Sequence, residues 1–146
     1  MAVDVLTETV IEAPLSQVSG YAADPDNAPQ WYANIESVEW LTDRPLRTGS
    51  RLAFVAHFLG RRLAYTYEMI DYVPGERLVM STAQGPFPME TTYSWTAQGA
   101  NVTQMTLRNR GEPTGFAKVS ARVTAAAMRR ANRKDLARLK SLVEAR

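Results

Sequence analysis

The chain has 146 residues, 45% of them hydrophobic and 22% charged, which is typical of one globular domain spanning residues 1–146. It contains no cysteine, which excludes disulfides, thiolate nucleophiles and iron–sulfur clusters, and its one histidine excludes a metal site of several histidines within one chain. The net charge of +2 is unevenly divided, because residues 116–146 sum to +7 and residues 1–115 to −5.

No apolar run reaches the 18 residues that would indicate a membrane span. The first ten residues, MAVDVLTETV, lack the basic start and apolar stretch of a secretory signal. We therefore expect a cytoplasmic protein.

The first elements are a strand and two short helices. Alternation of apolar and polar side chains predicts a strand over residues 4–13, and Pro14 suits the start of a helix over residues 15–23. A break at DPDNAP precedes a second short helix around residues 29–34.

Six further strands follow. Their predicted ranges are 35–41, 51–59, 61–73, 77–83, 89–96 and 101–110, separated by turn sequences such as VPGE, QGPFP and QGAN. Such short connections favour antiparallel neighbours, because a parallel pair needs a longer crossover. The sequence therefore predicts one curved antiparallel meander.

A long helix is predicted over residues 116–145, which contain no glycine or proline and follow the break GEPTG. Its apolar stripe, interrupted only by Asn132, comprises Ala117, Ala121, Ala125, Met128, Asn132, Leu136, Leu139 and Val143. This helix is the element available to close the concave face of the curved sheet. Because residues 125–127 are small alanines, we expect a cavity between sheet and helix.

The chain resembles the START/Bet v 1-like superfamily, in particular its polyketide cyclase/dehydrase and lipid-transport branch. The resemblance is carried by TVIEAPLSQV, DPDNAPQW, GSRLAF, YEMIDYVPGERLVM and TTYSWTAQGANVTQMTL, in that order, followed by the long helix. It implies the α+β helix-grip fold, with a curved antiparallel seven-stranded sheet wrapped around the C-terminal helix and two short helices after the first strand. It also implies a hydrophobic pocket and neither a metal nor a cofactor.

The residues predicted to bind a ligand are mostly aromatic or apolar. They are Trp31, Tyr32, Phe54, Tyr65, Tyr67, Met69, Tyr93, Trp95, Met105, Val123 and Ala127. Trp31 and Tyr32 either stack on a flat ligand or plug the end of the core. Tyr65 and Tyr67 share a strand face with Met69, and a register slip of one residue would reverse which face is inward.

Three residues are candidates for acid–base catalysis. They are His57 near the Gly60 turn, Tyr67, and Glu68, and each is also compatible with a structural or solvated role. Arg108 is either a ligand-binding cation or an outer charge, depending on the inward face of its strand. Cyclases of the resembled family place an arginine in the strand corresponding to LAYTYEM, where this chain offers Glu68 or Met69.

The principal hypothesis is a soluble protein that binds or transports a hydrophobic lipid-like or polyketide-like molecule. The alternative is a polyketide cyclase, aromatase or dehydratase that uses no metal or redox cofactor. A third hypothesis is that the basic terminal helix contacts an acidic partner, a membrane surface or nucleic acid, rather than forming a solvated face. Nucleic acid is not expected, because the cations spread around the helix without interleaved aromatic residues. Val119 and Val123 either form a homodimer patch or border the pocket.

Overall fold

The computed structural model describes residues 3–58, 60–84, 88–112 and 121–146. Its elements are β1 (Val3–Ile11), α1 (Leu15–Ala23), a 3-10 turn (Pro25–Asn27), α2 (Ala28–Trp31), β2 (Ile35–Trp40), β3 (Arg51–Phe58), β4 (Arg61–Val73), β5 (Arg77–Gln84), β6 (Met89–Gly99), β7 (Val102–Gly111) and α3 (Ala121–Glu144). The predicted order of elements is confirmed.

The strands form one antiparallel sheet in the order β1-β7-β6-β5-β4-β3-β2. Strands β2 to β7 are a meander, and β1 pairs with β7, with Val3 opposite Gly111 and Ile11 opposite Thr103. Because β1 and β2 lie at opposite edges of the sheet, the segment containing α1 and α2 must connect those edges. This arrangement confirms the helix-grip fold, with the sheet wrapped around α3.

Burial alternates along the strands, as expected where one sheet face packs on a core. The buried inner face includes Val3, Val5, Ile11, Leu52, Phe54, Ala56, Leu63, Tyr67, Met69, Leu78, Met80, Tyr93, Trp95, Met105 and Leu107. Tyr67 and Met69 therefore face inward, and Glu68 lies on the outer face. Met105 and Leu107 also face inward, which places Arg108 outside, where it donates to Asp4 at 2.8 Å.

Helix α3 packs mainly along β1. Its buried residues are Thr124, Met128, Asn132, Asp135, Leu136, Leu139 and Val143. The stripe predicted from Met128 onward is thus buried, and two polar residues, Thr124 and Asp135, join it. Residues 116–120 of the predicted helix lie outside the described residues. No helix in the described part of the chain is long and apolar enough to cross a membrane.

The predicted break at DPDNAP separates α1 from α2, and it contains a turn of 3-10 helix that leads directly into α2. A side-chain oxygen of Asp24 accepts the backbone N–H of Asp26 at 3.0 Å and caps this turn. Helix α2 consequently begins at Ala28 and ends at Trp31, earlier than predicted.

The VPGE sequence between β4 and β5 forms a tight turn, as predicted. The backbone N–H of Glu76 donates to the carbonyl of Val73 at 2.9 Å. Gly75 has a φ of 77°, a left-handed conformation that favours glycine at the third position of a type II turn. The predicted QGPFP turn and GEPTG break lie partly outside the described residues.

Candidate functional site

A pocket with a volume of about 150 Å³ lies between the inner face of the sheet and α3. Its wall is formed by inward side chains of β3 to β7, by the end of α1 and the start of α2, and by one face of α3. The lining is largely apolar or aromatic and includes Ala28, Tyr32, Phe54, Ala56, Leu63, Tyr65, Tyr67, Met69, Leu78, Met80, Tyr93, Met128 and Ala131. Polar side chains occupy only a few positions, the pattern typical of small-molecule sites.

Three aromatic rings from β3 and β4 form one side of this pocket. Phe54 stacks on Tyr65 with ring centroids 5.8 Å apart. Tyr67 meets Tyr65 edge to face at 5.1 Å and meets Phe54 at 5.8 Å. These offset and edge-to-face arrangements are favourable for aromatic pairs, so contacts among the three rings stabilise this side of the pocket.

Tyr32 and Tyr93 bring their hydroxyl oxygens within 2.6 Å of each other. Tyr32 follows α2 and Tyr93 lies on β6, so this hydrogen bond ties the α2 segment to the sheet. The pair shares one of its two hydroxyl protons, which leaves the second able to donate to another group.

A second hydroxyl chain runs across β4, β6 and β7. The hydroxyl oxygens of Tyr67 and Thr91 are 2.9 Å apart, and the Thr91 hydroxyl donates to Oδ1 of Asn109 at 2.6 Å. Since the single Thr91 proton is used on Asn109, Tyr67 must donate to Thr91. All three residues line the pocket.

The tyrosines of the pocket remain protonated at neutral pH. Burial raises the pKa of Tyr67 to about 12 and holds the pKa values of Tyr32, Tyr65 and Tyr93 well above their ordinary value. Burial disfavours the charged phenolate, because a low-dielectric surrounding does not solvate it. These hydroxyls therefore act as neutral hydrogen-bonding groups.

Asp135 of α3 is a carboxyl group that lines the pocket with only 3% of its surface exposed. Its Oδ1 accepts the backbone N–H of Ala33 at 3.0 Å, which joins α3 to the loop after α2. Burial raises its pKa to about 6, and the hydrogen bond from Ala33 opposes this shift. The charge of Asp135 also raises the pKa values of Tyr32 and Tyr93, so these groups form one polar cluster.

Asn132 lies one turn before Asp135 on the same helix face and also lines the pocket. It is 5% exposed, and its Nδ2 has no hydrogen-bond partner among the described residues. A buried amide without a partner is unfavourable and is uncommon in folded proteins. Asn132 thus offers the pocket an unused hydrogen-bond donor.

The pocket meets the surface near the loop before β2 and the end of β3. His57 lies at this edge with 57% of its side chain exposed, and its Nε2 is 3.0 Å from Oε2 of Glu36. The backbone N–H of His57 donates to the carbonyl of Asn34 at 2.8 Å. His57 therefore forms part of the rim and not of the enclosed cavity.

The structure separates the residues predicted to bind a ligand into two groups. Tyr32, Phe54, Tyr65, Tyr67, Met69 and Tyr93 line the pocket together. The others lie elsewhere: Trp31, Trp95 and Met105 are buried in the core, Ala127 is half-buried on α3, and Val123 is 54% exposed on the outside of α3. Val119 lies outside the described residues.

The positions of Trp31 and Glu68 bear directly on the roles predicted for these two residues. Trp31 is fully buried, with its ring centroid 4.0 Å from that of Tyr32, which corresponds to the core alternative. Glu68 lies on the outer sheet face and accepts from Nε of Arg51 at 3.0 Å. A carboxylate in that position cannot transfer a proton inside the pocket.

Thr91, Asn109 and Asp135 line the pocket but are not among the residues predicted from the sequence. The first two are at inward strand positions, two residues from Tyr93 and Leu107 respectively. Asp135 follows Asn132 by three residues, so both lie on the helix face that the apolar stripe defines. The polar residue Asn132 within the apolar stripe was therefore the feature of the sequence that could have indicated this polar part of the pocket.

The described residues contain no group of three or more histidine, aspartate or glutamate side chains placed to hold a metal ion.

Comparison with known proteins identifies the family. The family model described as polyketide cyclase / dehydrase and lipid transport matches residues 2–144. The chain belongs to this family. No match was found among curated protein sequences.

Solved structures of this family's fold are similar over nearly the whole chain. A protein from Thermus thermophilus is 22% identical, with 97% of each chain covered and a TM-score of 0.82. The Zhui aromatase/cyclase from Streptomyces sp. R1128 is 17% identical, with 99% of this chain and 94% of that chain covered and a TM-score of 0.81. A START superfamily protein from Mycobacterium smegmatis is also 17% identical, covering 97% and 94%, with a TM-score of 0.72. At these identities the likeness shows the fold alone.

Proposed function

We propose that this protein binds a compact hydrophobic molecule in the pocket between its sheet and α3, and carries that molecule. The observation that supports this most directly is the lining itself, in which apolar and aromatic side chains surround a few hydrogen-bonding groups. Membership of a family that includes lipid transport is consistent with this proposal.

The pocket volume limits the size of the ligand. A cavity of about 150 Å³ takes up a molecule the size of benzene when its lining is apolar. A ligand with one aromatic ring or a similar bulk fits this volume, whereas a longer molecule would extend past the rim near His57. Asn132 and the Tyr32–Tyr93 pair would orient the polar end of such a ligand.

Filling the pocket tests the proposal. Ala131 lines the pocket, whereas Ala126 is exposed on the outside of the same helix, so Ala131→Phe and Ala126→Phe add the same bulk in different places. We expect native mass spectrometry of Ala131→Phe to lose any co-purified small molecule that wild type and Ala126→Phe retain. If nothing co-purifies, calorimetric titration with ethylbenzene makes the same comparison. Equal binding by all three proteins would contradict the proposal.

Catalysis of cyclisation or dehydration is the second candidate, and Asp135 is the observation that favours it. With a pKa of about 6, this carboxyl group is able to gain and lose a proton near neutral pH. The carboxylate would remove a proton from the carbon between two ketone groups, and a tyrosine hydroxyl would donate to the resulting enolate oxygen. The enolate carbon would then form a bond to a more distant carbonyl carbon of the same molecule, and Asp135 would return its proton to that carbonyl oxygen. Loss of the resulting hydroxyl together with a proton from the neighbouring carbon would release water and leave a double bond.

The variant Asp135→Asn separates binding from this chemistry. Asparagine has nearly the same shape and is able to accept the Ala33 N–H, so we expect ligand affinity to persist. Turnover of a short synthetic poly-β-ketone, followed by absorbance of the aromatic product, should fall by about 100-fold or more. Wild-type turnover should also rise as the pH increases through about 6. Undiminished turnover by Asp135→Asn would reject this role for Asp135.

A further inference from the structure

The outer face of α3 has a concentration of cations that differs from the rest of the described surface. Most arginines of the sheet and its loops are paired: Arg44 with Asp26, Arg51 with Glu68, Arg77 with Asp71, Arg108 with Asp4, and Arg110 with Glu90. On α3, by contrast, five cations have no carboxylate partner within the described residues. They are Arg122, Arg129, Arg130, Arg133 and Lys134. We call these five residues the α3 cationic face.

The sequence of α3 explains why this face is not neutralised. The two acidic residues of the helix are Asp135 and Glu144. Asp135 is buried toward the pocket, and Glu144 pairs with Lys140 at the far end of the helix. Like charges therefore lie close together on the α3 cationic face, an arrangement that weakens the helix slightly unless an anionic surface is nearby.

The spacing of these residues suits a flat partner. At about 100° per residue, Arg122, Arg129 and Arg133 lie within roughly 40° of one another, and Arg130 and Lys134 extend the arc to about 140°. Four of the five are exposed and Arg129 is half-buried. Binders of single-stranded nucleic acid interleave aromatic side chains with their cations, and α3 contains no aromatic residue. A broad arc is instead able to place all five cations against a plane.

Apolar side chains lie among the cations. Val123, 54% exposed, and the exposed Ala126 occupy the same outer side of α3, close to Arg122 and Arg130. Small apolar groups surrounded by cations are compatible with the boundary between lipid headgroups and acyl chains. The opposite side of the same helix turns lines the pocket through Met128 and Ala131.

From these observations we infer that the α3 cationic face docks on an anionic lipid surface. Each lysine or arginine near such a surface contributes about a fivefold increase in partitioning. Docking by this face would place the α3 wall of the pocket next to the bilayer. Docking through the outside of α3 does not depend on what the pocket binds.

Vesicle sedimentation tests this inference directly. The full chain is mixed with vesicles of phosphatidylcholine alone or with about 30 mol% phosphatidylserine, at low and at physiological salt. We expect binding only to the anionic vesicles, and we expect it to weaken as salt rises. Neutralising two residues of the face in Arg130→Gln/Lys134→Gln should lower partitioning by about 30-fold.

The control is Arg47→Gln/Arg62→Gln, which changes the net charge equally at two arginines outside α3. It should lower partitioning by much less than the α3 variant does. Equal losses in the two double variants would show that only net charge matters and would overturn the inference. Tighter binding to duplex DNA or to polyglutamate than to anionic vesicles at the same salt would overturn it in favour of those partners.

The variant Ala131→Phe keeps this test separate from the proposed function. It fills the pocket and leaves the α3 cationic face intact, so its partitioning should equal that of wild type. Loss of small-molecule binding together with unchanged vesicle binding would support both ideas. Vesicle binding without any pocket ligand would reject the proposed function alone, and pocket binding without vesicle binding would reject this inference alone.

Discussion

Asp135 shows how a single residue links the fold to the site. Its carboxyl group holds the loop after α2 through the Ala33 N–H, and it also lines the pocket beside Tyr32 and Tyr93. The same burial that makes it useful as a positioning group raises its pKa to about 6. The ionisation of Asp135 therefore affects both the stability of the fold and the chemistry of the site.

The ionisation of Asp135 should make stability depend on pH. Its pKa is higher in the folded state than its unperturbed value of 3.8, so the folded state binds the proton more tightly. The contribution is fully present below about pH 4 and is lost as the pH rises through about 6. At 1.36 kcal/mol per pKa unit, the loss is up to about 3 kcal/mol. Urea unfolding of wild type and Asp135→Asn should therefore diverge between about pH 4 and pH 7.5, and parallel pH profiles would contradict this.

The unpartnered amide of Asn132 leads to a prediction about ligand preference. Acetophenone and ethylbenzene have nearly the same shape, but only the ketone is able to accept a hydrogen bond from Nδ2. We expect calorimetry to show acetophenone binding more tightly by about tenfold, and Asn132→Leu to remove that preference. Thr124→Val is the control, because Thr124 is also buried and unpartnered on α3 but is outside the pocket lining. If the preference for acetophenone persists in Asn132→Leu, a group other than Asn132 is responsible for it.

At the scale of an element, α3 has two faces with different roles. Its inner face combines core residues such as Leu136, Leu139 and Val143 with the polar pair Asn132 and Asp135. Its outer face bears the unpaired cations. The apolar positions provide the packing energy that holds both the polar pair and the cations in place.

A pair of leucine substitutions measures this packing. Leu139 is fully buried, whereas Leu6 on β1 is 58% exposed. Leu139→Ala should destabilise the protein by about 2–5 kcal/mol, since it removes buried methyl groups and leaves a cavity. Leu6→Ala should change stability by less than about 0.5 kcal/mol. Denaturant unfolding gives both values, and similar costs at the two sites would contradict the observed inward face of β1.

At the scale of the whole molecule, the pocket is enclosed only when the sheet, the α1–α2 segment and α3 are assembled together. A ligand that binds there binds the folded state and not the unfolded chain. At about 100 times its dissociation constant, such a ligand stabilises the fold by about 2.7 kcal/mol. For a chain of this size, the thermal midpoint should rise by roughly 5–10 °C.

Thermal unfolding with and without acetophenone checks this expectation. The midpoint of wild type and of Ala126→Phe should rise, whereas that of Ala131→Phe should stay constant. An equal rise in Ala131→Phe would place the bound molecule outside the pocket.

The order of elements is predicted from local patterns in the sequence, and the helix-grip fold from the family resemblance. Strand alternation and the apolar stripe of α3 are local patterns that indicate which face of an element avoids water, and turn sequences indicate where an element ends. The stretch LAYTYEM, for example, groups Tyr65 and Tyr67 with Met69 on one face before any neighbour is known. Turn chemistry at VPGE likewise depends only on adjacent residues.

Which polar groups meet inside the molecule depends on tertiary contacts. Tyr67, Thr91 and Asn109 come from three strands, and Asp135 reaches Ala33 across about a hundred residues of chain. Likewise, the core position of Trp31 and the outward pairing of Glu68 depend on how the elements pack. Local patterns carry no information about partners so distant in sequence, because these contacts form only when the sheet closes around α3.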